Sequence, residues 1–206
     1  METLVQIALL HLFAVASPGP DFIVVSRQAL RYGFIAGIWT SLGISTGILF
    51  HVLFALTSVN LIFNYQETLF YLISIIAAVY LFFLGVRSIF NKPKDLDVNE
   101  IKSSLTINAT KSYTTGFITN ITNPKALFFV IALYSVTSNN LTLNLAIVSG
   151  IYMCVATCIW FIFISKLFSL GKENPIFNKF TPIFEKICGL ILIIIAMQIL
   201  ILKINL

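Results

Sequence analysis

Charged side chains are scarce in this sequence: they make up 10% of its 206 residues, against about 25% in a soluble domain. Only three cysteines occur, Cys154, Cys158 and Cys188, each inside an apolar run, which excludes a disulfide framework and reads as small packing residues. Cys154 and Cys158 stand one helical turn apart but lack the further ligands of a tetrahedral metal site, so no metal and no cofactor is expected. Histidine is rarer still, with His11 and His51 alone. There is no His-x-x-x-His pair, no Gly-x-Ser-x-Gly elbow and no base beside Ser17, which leaves an intramembrane enzyme without a nucleophile and base to work with. The thirteen basic residues exceed the eight acidic ones, giving a net charge of +5. They are scattered through short segments and form no stripe along which a phosphate backbone could run, so nucleic acid is excluded as a partner.

What the chain does have is apolar length. Hydrophobic residues make up 58% and the mean hydropathy is +0.96. A helix needs about 20 predominantly apolar residues to cross roughly 30 Å of hydrocarbon. Six stretches meet that need, near Leu4 to Val25, Phe34 to Val59, Thr68 to Phe90, Tyr113 to Val136, Leu143 to Phe168 and Ile183 to Leu202. The expected fold is an all-α integral membrane protein of six transmembrane helices, its nineteen phenylalanines serving as packing and lipid-facing bulk. An apolar start ending in Ala14-Val15-Ala16 imitates a cleaved signal peptide. The opening Met1-Glu2 lacks a basic region, and the cut would fall just before Ser17-Pro18, so a first spanning helix is expected instead.

The basic residues report orientation. Arg27 and Arg31 follow the first stretch; Arg87, Lys92, Lys94, Lys102 and Lys111 lie around the third and fourth; Lys166, Lys172, Lys179 and Lys186 lie around the fifth and sixth. Segments 60–67 and 137–142 carry no Lys or Arg. By the positive-inside rule the basic loops are cytoplasmic and both termini face the outer side of a bacterial inner membrane.

The most hydrophilic stretch, about 91–112, separates three helices from three within a single domain, 1–206. Repeat 1 covers about 1–90 and repeat 2 about 113–206; with an odd number of crossings in each, the second copy inserts upside down. The first helix of each half is broken by proline, at Ser17-Pro18-Gly19-Pro20 and at Thr122-Asn123-Pro124-Lys125. Gly33, Gly37, Gly43 and Gly47 stripe the second helix of one half, and Ala146, Gly150, Cys154 and Cys158 that of the other. Such spacing lets helix backbones approach. Backbone groups freed by a break cost several kcal/mol each in hydrocarbon unless protein or water satisfies them, so the breaks belong at the bundle interior.

After each break the chain reads as a helix start, with Pro20 at the first helical position and Asp21 in the first turn, and with Asn123 as N-cap before Pro124. Two helix N-termini pointing in opposite senses would then converge on one spot suited to a carboxylate. Asp21 and Lys125 are the formal charges inside spanning segments, where each costs about 2.5 to 3.5 kcal/mol on insertion scales. Asp21 is expected to hold the ammonium of a zwitterion or the coupled proton, and Lys125 with the helix ends its carboxylate. The candidate binding or coupling set is Asp21, Lys125, Pro18, Gly19, Pro20, Asn123, Pro124, Gly43 and Gly47. His11 and His51 are weighed as a proton relay because histidine titrates near neutral pH, against a packed, hydrogen-bonded role for each.

Taken in order, these motifs resemble the LysE/RhtB family of bacterial amino-acid exporters over nearly the whole chain. The carriers are Ser17-Pro18-Gly19-Pro20-Asp21, the glycines from Gly33 to Gly47, Ala77-Ala78-Val79-Tyr80-Leu81 with Leu84-Gly85, Gly116-Phe117, and Asn123-Pro124-Lys125-Ala126-Leu127-Phe128-Phe129. The resemblance implies a small transporter that exports an amino acid or related zwitterion across the cell membrane by proton antiport, with no cofactor; the Pro-Gly-Pro-Asp form is similar to the branch handling neutral or hydroxy amino acids. One departure is Ser135-Val136-Thr137, where many members carry Pro-Gln-Phe. The implied partners are a small amino-acid substrate, a proton and the lipid bilayer, with a homo-oligomer left open. A passive channel for small solutes is the alternative, separable by the absence of saturable, proton-coupled flux.

Overall fold

The computed structural model describes residues 2–65, 67–90, 108–136, 142–170 and 175–204, and these are helical almost throughout. Eight helices follow in chain order: α1 (Glu2–Ala16), α2 (Pro20–Tyr32), α3 (Phe34–Tyr65), α4 (Glu67–Phe90), α5 (Ala109–Ile121), α6 (Pro124–Val136), α7 (Leu143–Ser169) and α8 (Pro175–Ile204). Within α3, Phe34–Thr57 is long and apolar enough to cross a membrane, as is α7. The pairs α1/α2 and α5/α6 meet the same test only when each is taken as one bent element, with bends of 56° and 55°. By length and composition that gives two spans, or up to four with the bent pairs, and Ser74–Arg87 and Gly189–Ile201 are shorter apolar helical stretches.

The breaks fall where proline predicts them, because Pro20 and Pro124 each open a helix and neither can donate to the turn before it. Helix ends depart from hydropathy in a consistent direction. The helix expected from Tyr113 already begins at Ala109, where the Asn108 side chain caps it by accepting from the Lys111 N–H at 2.9 Å. Helical hydrogen bonding runs on into polar sequence that an apolar window leaves out. Arg27 and Arg31, expected in a loop, lie within α2, which continues to Tyr32 and stops at Gly33. That glycine has φ 87°, a left-handed conformation that a side chain would resist. Most of the hydrophilic linker, residues 91–107, lies outside the described residues, as do Thr137 and the side chains of Ser135, Val136 and Cys188.

The packing is inside out relative to a water-soluble protein. Large apolar side chains such as Leu53, Phe54, Ile151, Ile159 and Phe163 are exposed on the outer faces, while Ser26, Thr40, Ser41, Ser149 and Ser165 are buried. Hydrocarbon outside removes any penalty on the first group and leaves the second to be satisfied internally. Several of these hydroxyls turn back onto their own helix: Thr40 donates to the Ala36 carbonyl at 2.9 Å and Ser165 to that of Phe161 at 2.7 Å. Helix α6 forms the centre, with Phe129 to Tyr134 buried in succession. Its core cluster includes Ile48 and Val52 of α3, Ala78 and Leu81 of α4, and Leu192 and Ile195 of α8. Helix α3 packs along α5 and α7, and α4 along α8.

Small residues set these approaches. A Cβ placed on Gly43 would strike the Tyr113 carbonyl oxygen, and one on Gly116 the Thr40 carbonyl oxygen, so α3 and α5 touch backbone to backbone. Gly85 of α4 faces Gly189 of α8 in the same manner. At Gly150 the neighbour is only the Val52 side chain, which can turn aside. Gly43→Ala and Gly116→Ala are therefore expected to destabilise the detergent-solubilised protein by about 1 to 3 kcal/mol, the range for overpacking, and Gly150→Ala by clearly less. Thermal unfolding of the three variants checks this, and an equal effect at all three would contradict the backbone contact.

Candidate functional site

The two breaks meet at the middle of the bundle. In a continuous helix the Ser17 carbonyl would accept from the N–H of residue 21; the Pro18-Gly19-Pro20 turn removes that bond. Lys125, from the first turn of α6, replaces it, its Nζ donating to the Ser17 oxygen at 2.6 Å. Gly19 lies against this ammonium, and a Cβ there would be in ordinary contact with Lys125 Nζ at 3.5 Å. At the other break the Asn120 carbonyl would accept from residue 124, which as proline has no N–H. His51 of α3 supplies a donor through Nε2 at 2.8 Å, joined by the Asn123 N–H at 2.9 Å. Because a carbonyl only accepts, the proton of a neutral His51 sits on Nε2.

Asn123 ties the two breaks into one unit. Its Oδ1 accepts from the Lys125 N–H at 3.0 Å, the expected N-cap of α6. Its Nδ2 donates to Asp21 Oδ2 at 3.0 Å, and Asn120 Nδ2 donates to the same oxygen at 2.9 Å. Asp21 stands in the first turn of α2 with Pro20 ahead of it, as the sequence predicts. Its hydrogen bonds reach across to α5 and to the α6 cap, however, and do not serve its own helix end. The other carboxylate oxygen, Oδ1, is buried with no hydrogen-bond partner among the described residues. Lys125 lies within electrostatic reach of this carboxylate.

These groups line one cavity. Ser17, Gly19, Asp21, Asn123 and Lys125 form its polar floor, His11 and Thr157 a second polar patch, and Phe22, Phe129 and Phe161 its apolar wall. The arrangement offers an anionic oxygen, an ammonium and two helix N-termini in a cavity partly lined by aromatic rings, which suits a small solute carrying both charges. Of the residues picked out from sequence, His11, Gly19, Asp21, Asn123 and Lys125 come together here. Pro18, Pro20 and Pro124 shape the turns. Gly43, Gly47 and His51 lie behind the cavity: a Cβ on Gly47 would overlap the Asn120 side chain, so Gly47 leaves the space that Asn120 fills.

Sequence reasoning missed Asn120, which is fully buried in the last turn of α5 just before the break. It also missed Thr157, which carries no pattern that sets it apart from the other hydroxyls of the bundle. Cys154 and Cys158 are free thiols on α7.

Comparison with known proteins places this geometry in context. The family model for the LysE type translocator matches residues 12–203. A membrane protein of Bacillus subtilis, YrhP, is 29% identical over 94% of this chain and 96% of its own length. The threonine efflux protein of Escherichia coli is 26% identical and that of Salmonella typhi 25%, each over 89% of this chain and 90% of its own length. No solved structure matches the chain.

The shared oxygen of Asp21 predicts energetic coupling. In a double-mutant cycle of Asp21→Ala and Asn123→Ala, unfolding in detergent is expected to give an interaction energy of about 0.5 to 3 kcal/mol, as contacting residues do. Additive effects would show that the hydrogen bond does not form.

Proposed function

Because this chain belongs to the LysE type translocator family, a family of membrane transporters and not of enzymes, we propose that it exports a small zwitterionic amino acid across the bacterial inner membrane in exchange for a proton. The observation that carries this reading is the Asp21 carboxylate: one oxygen is held by two amides while the other is buried without a hydrogen-bond partner among the described residues, in a cavity that Lys125 also lines. A substrate ammonium fits the unbonded oxygen, and Lys125 with the N-terminal ends of α2 and α6 fits the substrate carboxylate. The printed activity of the relatives in Escherichia coli and Salmonella, threonine efflux, supports both the amino-acid class and the outward direction.

Proton exchange follows from charge. A bare carboxylate within hydrocarbon is expensive, so Asp21 changes exposure most readily when neutralised. A substrate ammonium neutralises it on the outward passage and a proton on the return. Both compete for one carboxylate, and that competition makes the flux an exchange. Lys125 alternates between the Ser17 carbonyl in the empty site and the substrate carboxylate in the loaded one.

The architecture in this reading is six crossings in one domain, as two inverted three-helix repeats of about 1–90 and 113–206, joined by a cytoplasmic linker of about 91–112, with both termini outside. The bent pairs α1/α2 and α5/α6 are the first and fourth crossings. Support comes from the near-equal bends of 56° and 55° and from the contacts of α3 with α7 and of α4 with α8. Each of those contacts joins equivalent members of the two halves, as a pseudo-two-fold axis requires. Helices α4 and α8, with 24 and 30 residues, are long enough for the third and sixth crossings.

Export from cells overproducing the chain tests the mechanism. Asp21→Asn and Lys125→Ala are each expected to lower the export rate roughly 10- to 100-fold at unchanged membrane abundance, the worth of a hydrogen bond to a charged group, and an uncoupler is expected to abolish export by the unmodified chain. Retention of export in both variants would remove the assigned roles, and uncoupler-resistant, non-saturable flux would favour a passive pore.

A further inference from the structure

His11 plays no part in the charge scheme above, yet it is only 2% exposed and lines the same cavity. Tyr152 and Phe129 hold its ring, with centroids 5.9 and 6.4 Å away. Its Nε2 lies 3.2 Å from the Thr157 hydroxyl. Hydroxyls within helices ordinarily donate to a carbonyl three or four residues back, as Thr40 and Thr57 do. The Thr157 hydroxyl is aimed at His11 instead. Either atom can donate in this contact; with the hydroxyl assigned as the donor, Nε2 accepts and the proton of the neutral ring sits on Nδ1. That Nδ1 is buried and has no partner among the described residues. A buried donor without an acceptor is uncommon in a folded protein, and this one belongs to a side chain on a cavity wall.

Position along α1 gives the second argument. His11 precedes Ser17, whose carbonyl anchors Lys125, by six residues, or about 9 Å along the helix at about 1.5 Å per residue. Both residues line the same cavity, so a solute within it meets His11 toward one end of this stretch and Lys125 toward the other. For a substrate whose charged groups are held at Asp21 and Lys125, His11 and Thr157 are further polar side chains of the same cavity.

We propose that His11, oriented by Thr157, is a specificity-determining residue: its Nδ1–H donates to a hydroxyl oxygen on the substrate side chain and selects a hydroxyl-bearing amino acid over its aliphatic isostere. This deepens the exporter reading and rests on it. Without a hydroxyl on the substrate the donor stays buried and unpaired in the loaded state, and a site built to hydrogen-bond a substrate group rejects the analogue that lacks it. Thr157 acts through His11 as a positioning residue, since loss of its hydroxyl frees the imidazole to take the other tautomer.

Threonine and valine have the same shape and differ in the hydroxyl, so their uptake into proteoliposomes holding the purified full chain reads the contact directly. The unmodified chain is expected to prefer threonine by roughly tenfold or more. His11→Leu should bring the two rates within about threefold, whereas His11→Asn, which keeps an N–H near the position of Nδ1, should retain most of the preference. Thr157→Val should lower the threonine-to-valine ratio, and it decides the matter if His11→Leu fails to fold. Equal transport of both amino acids by the unmodified chain would overturn this assignment and leave the exporter reading standing. Transport of neither would overturn both. A His11→Leu protein of normal stability that loses both substrates in proportion would place His11 at the charged end and overturn the side-chain role.

Discussion

Everything at the centre of this protein depends on what becomes of backbone groups released where a helix is interrupted in hydrocarbon. Prolines at positions 18, 20 and 124 remove donors that a continuous helix would supply, and no lipid can replace them. The chain answers with side chains from other helices. Lys125 takes the Ser17 carbonyl and His51 the Asn120 carbonyl. Each interruption is thus completed by a residue from another part of the sequence, and the two interruptions are held against each other as a result.

From that constraint the polar chemistry follows. Asn123 caps α6 and in the same position donates to Asp21, so the element that begins one half-helix also fixes the carboxylate at the start of another. Asn120 reaches Asp21 through the space left by Gly47. Preorganisation of this kind holds one carboxylate oxygen still, while the other is buried without a hydrogen-bond partner among the described residues. Phe22, Phe129 and Phe161 line the apolar side of the same cavity, which lowers the local dielectric around these charges.

Much of this was legible from residue type alone, and for stated reasons. Proline cannot continue a helix, so both interruptions were readable, as were the N-cap at Asn123 and the first-turn place of Asp21. Glycine spacing marked the α3 face that receives α5, and it placed His51 on that face. Polarity in the interior was harder. Asn120 looks like any polar residue near a helix end, and its importance appears only when Gly47 and Asp21 are found beside it. Helix boundaries also escaped, because hydropathy records where hydrocarbon lies whereas hydrogen bonding carried α2 through Arg27 and Arg31 as far as Gly33. The proposed two-fold relation of the halves rests on the order of motifs more than on side-chain identity, since the second stripe uses alanine and cysteine where the first uses glycine.

The seam between Gly43 and Gly116 has a mechanical side. Interfaces lined by long side chains can shear, because rotamers yield one after another while the backbones slide. Here main chain rests on main chain, with nothing between that can rotate out of the way. Helices α3 and α5 are consequently coupled as a single rigid strut. In the proposed exporter, a rearrangement that turns the cavity from one face of the bilayer to the other would carry this strut as a unit, and Val52 on Gly150 is a contact where a side chain can give.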